Sequence, residues 1–282
     1  MNIKFHCDEA PNFQRPNSFV SAFTYTDYSI EPHTHDFYEM NIVMGGHGIH
    51  QIEASVFDAK VGDVFVIPPM TSHAYYNTEH LEVYHILLKK SFVRSNQEEA
   101  ASMPGFLQLM EIEPFLRRSC TEAMFLHLNP VELSEIKDEF KFIEKNGAFD
   151  IEEFSSLHRH TTWKIIYYLS YLLHKQNNGE KAAVPTKYNQ QILDTLEFLH
   201  RHFSQKIVVD KLAERVYLSR STFIRSFRAF CGCSPIRYLT KYRAEKALEL
   251  LENSAMSKTE IAHACGFYDL SHMEKSIRMM QK

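Results

Sequence analysis

The stretch from Val208 to Tyr242 constrains the fold most, because it contains a complete helix–turn–helix pattern. Its first apolar residues recur at helical spacing and include a small alanine that lets two helices approach closely: Leu212, Ala213, Val216 and Leu218. Ser219 can then cap a new helix, in which Phe223 and Phe227 lie four residues apart and point inward. The pattern predicts a scaffold helix followed by a second helix with a free outer face.

That outer face is basic. It carries Arg220, Ser221, Ile224, Arg225 and Arg228. Guanidinium groups bind phosphate or guanine with paired hydrogen bonds, and small side chains permit close approach to a major groove. The face is therefore typical of a DNA-reading helix, although a solvated basic helix would show the same residues.

A second copy of the pattern follows. Ile261 and Ala262 repeat Leu212 and Ala213 at a distance of 49 residues. The inward and basic residues of the second helix repeat Phe223, Phe227 and Arg228 at a distance of 50 residues: Met273, Ile277 and Arg278. Between the copies, Ser234 and Pro235 have the types expected of a helix cap and first helical residue. One rigid connecting helix can set two recognition helices about 34 Å apart, in successive major grooves of one duplex.

This stretch resembles the AraC-type bacterial transcription regulators. The resemblance spans Tyr188 to Met280 and is carried by the LA…LSRSTFIRSFR run, Gly232-x-Ser234-Pro235, Arg243-x3-Ala247-x2-Leu250-Leu251 and Ile261-Ala262-x3-Gly266-Phe267. It implies an all-α domain of two tandem helix–turn–helix units. The base-facing positions then fall on Ser221, Ile224 and Arg225 in the first unit and on Leu270, Ser271, Glu274 and Lys275 in the second, with Arg278 as a further contact.

The chain departs from the family pattern in three ways. Val208 stands where a capping Ser or Thr is usual, at a cost of about 1 kcal/mol, and Glu274 puts a carboxylate on the second reading face. The sequence also stops four residues after Arg278, where the first copy continues into a supporting helix. We therefore expect a second unit that lacks the support of such a helix. One interpretation is a truncated regulator with impaired DNA binding.

Charge separates the two halves of the chain. Residues 189–282 carry 15 Lys and Arg against 10 Asp and Glu, whereas the first 188 residues carry 16 against 25. An acidic sensor joined to a basic reader shows this asymmetry. The length of 282 residues suits two domains, and 44% hydrophobic residues is ordinary for a globular protein. Five cysteines without zinc-finger spacing, no signal peptide and no long apolar run favour a cytoplasmic protein with no membrane span.

The N-terminal half predicts short antiparallel strands. Alternation suggests a strand over residues 19–25, and the next alternating stretch puts one face together: His33, His35, Phe37, Glu39, Asn41 and Val43. A turn is expected at Gly45 to Gly48, followed by strands near residues 49–53, 63–67, 73–76 and 82–88. Such a series describes an antiparallel β-barrel, which we place at residues 1–125.

Two motifs in this region resemble the cupins. They are His33-x-His35-x3-Glu39-x6-Gly46 and Gly62-x5-Pro68-x4-His73-x3-Asn77, with Met70 where glycine is usual. The resemblance implies that His33, His35, Glu39 and His73 meet inside the barrel. Three imidazoles and a carboxylate are competent ligands for one divalent Zn, Ni, Mn or Fe ion. The same residues are also typical of metal-free contacts to a small effector, or of an internally satisfied core.

Several aromatic residues complete a candidate effector site. Tyr25, Phe37 and Tyr75 could stack on a sugar ring, and Asn41 would add a hydrogen-bonding group. Together with the histidines and Glu39 they form the predicted effector contacts. Singly, each aromatic residue is equally compatible with an ordinary barrel core.

Two helices are expected next. Asn129-Pro130-Val-Glu132 opens one that runs to about Lys145, and Asp150 opens another that carries an apolar stripe to about Lys175: Phe154, Leu157, Ile165, Tyr168, Leu169 and Leu172. The pair, placed at 126–176, resembles the dimerisation hairpin of sugar-responsive AraC-type proteins, or else only covers the barrel. Residues 177–188 are the expected linker to the DNA-binding domain at 189–282.

These features predict an α+β protein of several domains, a transcription regulator rather than an enzyme. The resemblance to regulators of carbohydrate uptake suggests a sugar or sugar phosphate effector. It further implies double-stranded DNA, a second copy of the chain and RNA polymerase as partners. The alternative is a metal-dependent cupin enzyme, such as a dioxygenase or sugar isomerase, fused to a DNA reader.

Overall fold

The computed structural model describes residues 3–5, 20–26, 29–117, 126–147, 155–178 and 188–280. Their contacts divide the chain into two compact units, residues 1–183 and 184–282, called here the sheet unit and the helical unit. The helical pair belongs to the sheet unit, and the expected linker lies mostly outside the described residues.

The sheet unit is built from eight strands. They are β1 (Ile3–Phe5), β2 (Val20–Thr26), β3 (Ile30–His35), β4 (Tyr38–Ile52), β5 (Ser55–Lys60), β6 (Asp63–Ile67), β7 (His73–Leu88) and β8 (Leu126–His127). The hydrogen-bonded path is β1-β3-β7-β4-β6-β8, with β2 added to β7 and β5 to β4. Pairing is antiparallel except between β1 and β3. The architecture is cupin-like, but the described strands form a sheet that does not close into the expected barrel.

The prediction of a turn at Gly45 to Gly48 is wrong, because strand β4 continues through these residues. Its pairing with β7 shifts register between Val43 and Ile49, so the strand bends without ending. Gly46 has φ +65°, and a Cβ there would collide with the backbone carbonyl of His80. The inward-facing positions change from odd to even numbers across this shift. Phe37, Glu39 and Asn41 are buried before it, and His50 and Ile52 are buried after it.

Met70 explains one departure from the cupin pattern. It lies in the turn before β7 with φ +64°, and its N–H donates to the His35 carbonyl at 2.7 Å. Glycine adopts this conformation without steric cost, whereas other L-residues pay for it. The cupin motif has glycine here because the backbone requires positive φ, and Met70 adopts that conformation at an energetic cost.

Helices close the sheet unit. α1 (Lys90–Ser95), α2 (Gln97–Ser102), a π-helix (Gln108–Ile112) and α3 (Glu113–Arg117) precede the predicted pair, α4 (Pro130–Gly147) and α5 (Ser155–Asn178). Asn129 caps α4 as expected, accepting from the N–H groups of Val131 and Glu132 at 2.9 and 3.1 Å. The predicted start of α5 at Asp150, and Phe154, lie outside the described residues.

The apolar stripe of α5 mostly faces the sheet unit's own core. Ile165, Leu169 and Leu172 are buried, whereas Leu157 is 38% exposed. Trp163 of the same helix stacks on Phe92 with ring centroids 5.1 Å apart. Covering the sheet is therefore one function of this helix.

The helical unit contains six helices among its described residues. They are α6 (Asn189–Arg201), α7 (Val209–Arg215), α8 (Arg220–Cys231), α9 (Pro235–Asn253), α10 (Lys258–Ala264) and α11 (Leu270–Met280). Ser219 accepts from the Thr222 N–H as the cap of α8, Ser234 caps α9, and Val208 makes no side-chain cap for α7. None of the helices described in either unit has the length and apolar character that a membrane crossing requires.

Candidate functional site

Glu39 is the centre of the polar group inside the sheet. It lies on β4 and is buried, with its Oε2 3.3 Å from His35 Nε2 and 3.7 Å from His73 Nε2. His85 Nδ1 donates to the other oxygen, Oε1, at 2.9 Å. Two strands, β3 and β7, therefore place imidazoles around the carboxylate of a third, as the cupin resemblance implied for His35 and His73.

Three of the four predicted metal ligands form a compact donor set. His33, Glu39 and His73 are all buried and each offers a ligand atom within 4.8 Å of the others. His33 and His35 each donate from Nδ1 to a nearby backbone carbonyl, of Glu31 at 3.0 Å and of Phe37 at 2.7 Å. These bonds fix the tautomer and leave Nε2 of each ring as the lone-pair nitrogen, as in many metal sites. The residues fit a divalent cation.

The protonation states agree with that fit. Burial lowers the pKa of His35, and lowers the pKa of His73 well below its ordinary value, so both rings are neutral. Burial alone would raise the pKa of Glu39, but His73 and the hydrogen bond from His85 outweigh it and hold that pKa well below the usual range. Neutral imidazoles around an ionised carboxylate are the form in which these groups bind metal.

Two histidines of this interior were not identified from the sequence. His85 lies on β7, on the same inward alternation as His73 and Tyr75, and that spacing could have revealed it. His50 lies beyond the register shift of β4, so alternation counted from Glu39 assigns it to the wrong face. Its ring is fully buried and stacks on Tyr75 with centroids 3.9 Å apart.

The interior holds polar atoms that nothing in the described part of the chain satisfies. They include Asn41 Oδ1, both ring nitrogens of His50 and Nδ1 of His73. The Asn41 amide does donate from Nδ2 to the Tyr75 hydroxyl at 3.4 Å. A buried polar atom without a partner costs about 1–3 kcal/mol. Several such atoms within one group of contacting residues indicate a site built to receive a polar molecule.

The predicted aromatic walls lie in different places. Tyr75 is fully buried in the sheet interior, and Phe37 stacks on His35 at 4.4 Å. Tyr25, on β2, is 51% exposed and meets His85 edge-on at 5.7 Å. Tyr25 therefore lies at the edge of the polar group, with His85 between it and Glu39.

The predicted DNA contacts of the first unit lie along one side of α8. Ser221, Arg225 and Arg228 are exposed, and Ile224 is partly so, while Phe223 and Phe227 are buried as expected. Arg220 is exposed but already engaged, because its Nη1 donates to both carboxylate oxygens of Asp210 on α7 at 2.7 Å. Arg225 and Arg228 are thus the more readily available cations of this face.

The second unit repeats the arrangement on α11. Ser271, Lys275 and Arg278 are exposed, and Leu270 and Glu274 are partly exposed. The Glu274 carboxylate, which adds a negative charge to the second reading face, lies 3.6 Å from the ammonium of Lys258 on α10. That pair offsets its charge on the reading face.

Comparison with known proteins matches both halves of the chain. Residues 15–139 match the family model of an AraC-like ligand binding domain, and residues 212–281 match that of a helix-turn-helix domain. The HTH-type transcriptional activator RhaS of Klebsiella pneumoniae (strain 342) is 28% identical over 247 residues, which are 87% of this chain and 82% of RhaS. RhaS of Citrobacter koseri is 26% identical over 274 residues, 97% of this chain and 90% of the relative.

Solved structures similar to this chain include the DNA-binding domain of AdpA in complex with a target DNA. It is 32% identical, with a TM-score of 0.31, over 32% of this chain and 80% of that one.

Proposed function

The chain is an AraC-type transcription regulator, in which a ligand-binding domain precedes a helix–turn–helix domain, and we propose that its effector is a sugar or sugar phosphate bound inside the sheet. The unsatisfied atoms of Asn41, His50 and His73 carry this proposal. They combine acceptors with neutral imidazoles that can donate or accept, and hydroxyl groups match both roles. The match of residues 15–139 to an AraC-like ligand binding domain supports a small-molecule effector.

The proposed site uses the predicted contacts and two more. Asn41, Tyr75 and His73 supply hydrogen-bonding groups, and His50 and His85 extend the set. His33, His35, Phe37 and Glu39 complete the buried wall, and Tyr25 contributes from the edge. The aromatic and imidazole rings offer flat surfaces on which a sugar ring can stack.

A divalent metal is the second element of the proposal. His33, Glu39 and His73 would hold it, with His35 next to Glu39 as a fourth candidate ligand. Bound there, a metal would supply a positive charge that orients effector hydroxyl groups. The chain's own contribution is the set of backbone hydrogen bonds that aim His33 and His35.

On the DNA side, we propose that α8 and α11 read successive major grooves of one duplex. Ser221, Ile224 and Arg225 would face bases in the first groove and Leu270, Ser271, Glu274 and Lys275 in the second. Arg220, Arg228 and Arg278 would contact phosphates. An effector that favours one arrangement of the two units would change DNA occupancy, because only differential affinity shifts such an equilibrium.

A homodimer would let the regulator act on paired sites. On the helical pair, Phe142, Leu157 and Tyr171 are large apolar or aromatic side chains that remain exposed after the stripe has packed inward. They offer an apolar surface for a second copy. The regulator would act in the cytoplasm and engage RNA polymerase at its promoters.

A ligand screen on the full chain tests the proposal. Trp163 is the single tryptophan and is buried in the sheet unit, so its fluorescence reports unfolding of that unit. A panel of sugars, their phosphates and Zn, Ni, Mn and Fe salts is added during thermal unfolding. A ligand at one hundred times its Kd should stabilise the fold by about 2.7 kcal/mol.

The screen is followed by two assays on each stabilising compound. DNA affinity that changes with the compound, without its chemical conversion, supports the regulator. Turnover of the compound in a metal-loaded protein would support the cupin enzyme instead. No stabilisation by any polyhydroxy compound or metal would contradict an effector site in this interior.

A further inference from the structure

The loop of residues 202–208, which joins α6 to α7, leads into the first helix–turn–helix unit and yet packs against the second. Phe203 of this loop packs on the core of the second unit, which includes Ala244, Ile261, Phe267 and Met273. Its ring also meets Tyr242 of α9 edge-on, with centroids 5.5 Å apart. The two units therefore share this loop in addition to α9.

Arg243 of α9 holds the backbone of the loop. Its Nε donates to the Phe203 carbonyl and its Nη2 to the Gln205 carbonyl, both at 2.6 Å. The guanidinium is planar, so the two bonds fix the loop in direction as well as in distance. Phe203 and Gln205 lie immediately on either side of Ser204.

The turn of the second unit meets the loop at that middle residue. Gly266 has φ +76°, and a Cβ on it would lie 2.5 Å from the Ser204 carbonyl oxygen. The turn can approach only because it carries no side chain there. Arg243 thus binds the carbonyls of Phe203 and Gln205, and the turn of the second unit contacts the carbonyl of Ser204 between them.

We infer that Arg243 is a positioning residue, which ties the loop entering the first unit to the second and thereby fixes the separation at which α8 and α11 meet DNA. Without this second connection, α9 alone would relate the two recognition helices, and their separation could vary. The inference rests on the proposed function in that both units read one duplex.

Substituting Arg243→Lys in the full chain tests it. A lysine ammonium is a compact donor on a different stem and cannot reproduce the planar fork to two carbonyls. Arg237→Lys is the matched control, because Arg237 is exposed on the same helix. The probes are an operator selected from random duplexes by the original chain, the same operator with one base pair inserted between its half-sites, and one with its second half-site scrambled.

An inserted base pair displaces the second half-site by about 3.4 Å and rotates it by about 34°. We expect the original chain and Arg237→Lys to lose at least about tenfold in affinity on insertion, and Arg243→Lys less than about threefold. Arg243→Lys should bind the parent operator about tenfold more weakly and the scrambled one unchanged.

Other outcomes overturn the inference in distinguishable ways. If Arg243→Lys loses the same affinity for the parent and the scrambled operators, Arg243 only stabilises the fold. If the inserted base pair lowers the affinity of Arg243→Lys as much as that of the original chain, Arg243 does not set the separation. No penalty in the original chain would instead contradict reading by two units. Gly266→Ala, which pushes the turn away from Ser204, should reproduce the reduced insertion penalty. If it keeps the full penalty, the loop does not set the separation.

Discussion

Tyr217 and Gly266 occupy equivalent positions in the turns of the two helix–turn–helix units, 49 residues apart, and both have positive φ, +57° and +76°. Each turn makes the same hydrogen bond, from Leu218 N to the Ala213 carbonyl at 3.0 Å and from Phe267 N to the Ala262 carbonyl at 2.9 Å. The turn therefore requires the left-handed conformation, and only the second copy has the residue that adopts it freely.

Tyr217→Gly should stabilise the helical unit by up to about 1 kcal/mol. It relieves a left-handed penalty of about 1–2 kcal/mol, partly offset by the greater chain entropy of glycine when unfolded. Tyr217 is 96% exposed, so little packing is lost. The measurement is urea unfolding followed by circular dichroism, with Tyr217→Ala as the control that keeps the penalty. Equal gains from both variants would contradict this explanation.

Arg225→Ala and Arg228→Ala should weaken DNA binding in different ways. Arg225 is proposed to read a base, so its loss should cost about 1–3 kcal/mol on the selected operator and relax preference at one position. Arg228→Ala should reduce binding to all sequences similarly and lower the salt dependence by about one phosphate contact. Titrations on matched and single-base-changed duplexes at several salt concentrations separate the two. A uniform loss for Arg225→Ala would exclude base reading.

His33→Ala should abolish the response to metal or effector and leave DNA binding in its absence intact. His33 belongs to the compact donor set with Glu39 and His73, and removing one ligand opens it. Stabilisation by added metal, followed through Trp163, should disappear. His47→Ala is the control, since His47 is exposed on β4 and lies outside the set. Equal metal stabilisation in His33→Ala would rule out this site.

Acid should destabilise the sheet unit, beginning near pH 6.5. Burial holds the pKa of His50 well below the ordinary histidine value of 6.5, so below that pH the unfolded chain binds a proton that the folded chain does not. By linkage, stability present above pH 6.5 is lost as pH falls, by up to about 1.4 kcal/mol per pH unit for each such group. The depressed pKa of Glu39 acts in the same direction at lower pH.

His50→Phe should reduce that slope between pH 6.5 and 5, because phenylalanine keeps a ring against Tyr75 and removes the titration. Trp163 fluorescence during urea unfolding at each pH gives the measurement. An unchanged slope would mean that His50 does not contribute.

Tyr171→Glu should weaken self-association by about tenfold or more, because it puts a charge on the proposed apolar surface. Tyr171 is 49% exposed on α5, so the change should leave the fold intact. Sedimentation velocity over a range of concentrations tests it, and Lys175→Glu, one turn further along the helix, is a control that makes an even larger change of charge. A dimer that forms as before would place the interface elsewhere.

The sequence predicted the helical unit more completely than the sheet unit. Scaffold spacing, the Ser219 and Ser234 caps and the basic outer face are all local along the chain, and each was found where expected. The charges of Arg220 and Glu274 could not be judged in this way, because Asp210 and Lys258, which pair with them, lie on other helices.

In the sheet unit, the four cupin-motif residues lie together as the resemblance implied, but the neighbouring His50 and His85 were not predicted. The strand Ser55–Lys60 was missed because its first two residues reverse the expected pattern: the polar Ser55 is buried and the apolar Val56 is exposed. His50 was missed because its orientation depends on pairing between β4 and β7, which no local pattern records.

The phase change in β4 has a consequence for how such a sensor can diversify. Removing or adding one residue between Gly45 and Gly48 would turn His50 and Ile52 outward and Ile49 and Gln51 inward, while Glu39 and Asn41 kept their positions. The side chain that stacks on Tyr75 can thus be exchanged by a change of chain length alone, and new effector preferences need not await a series of point substitutions.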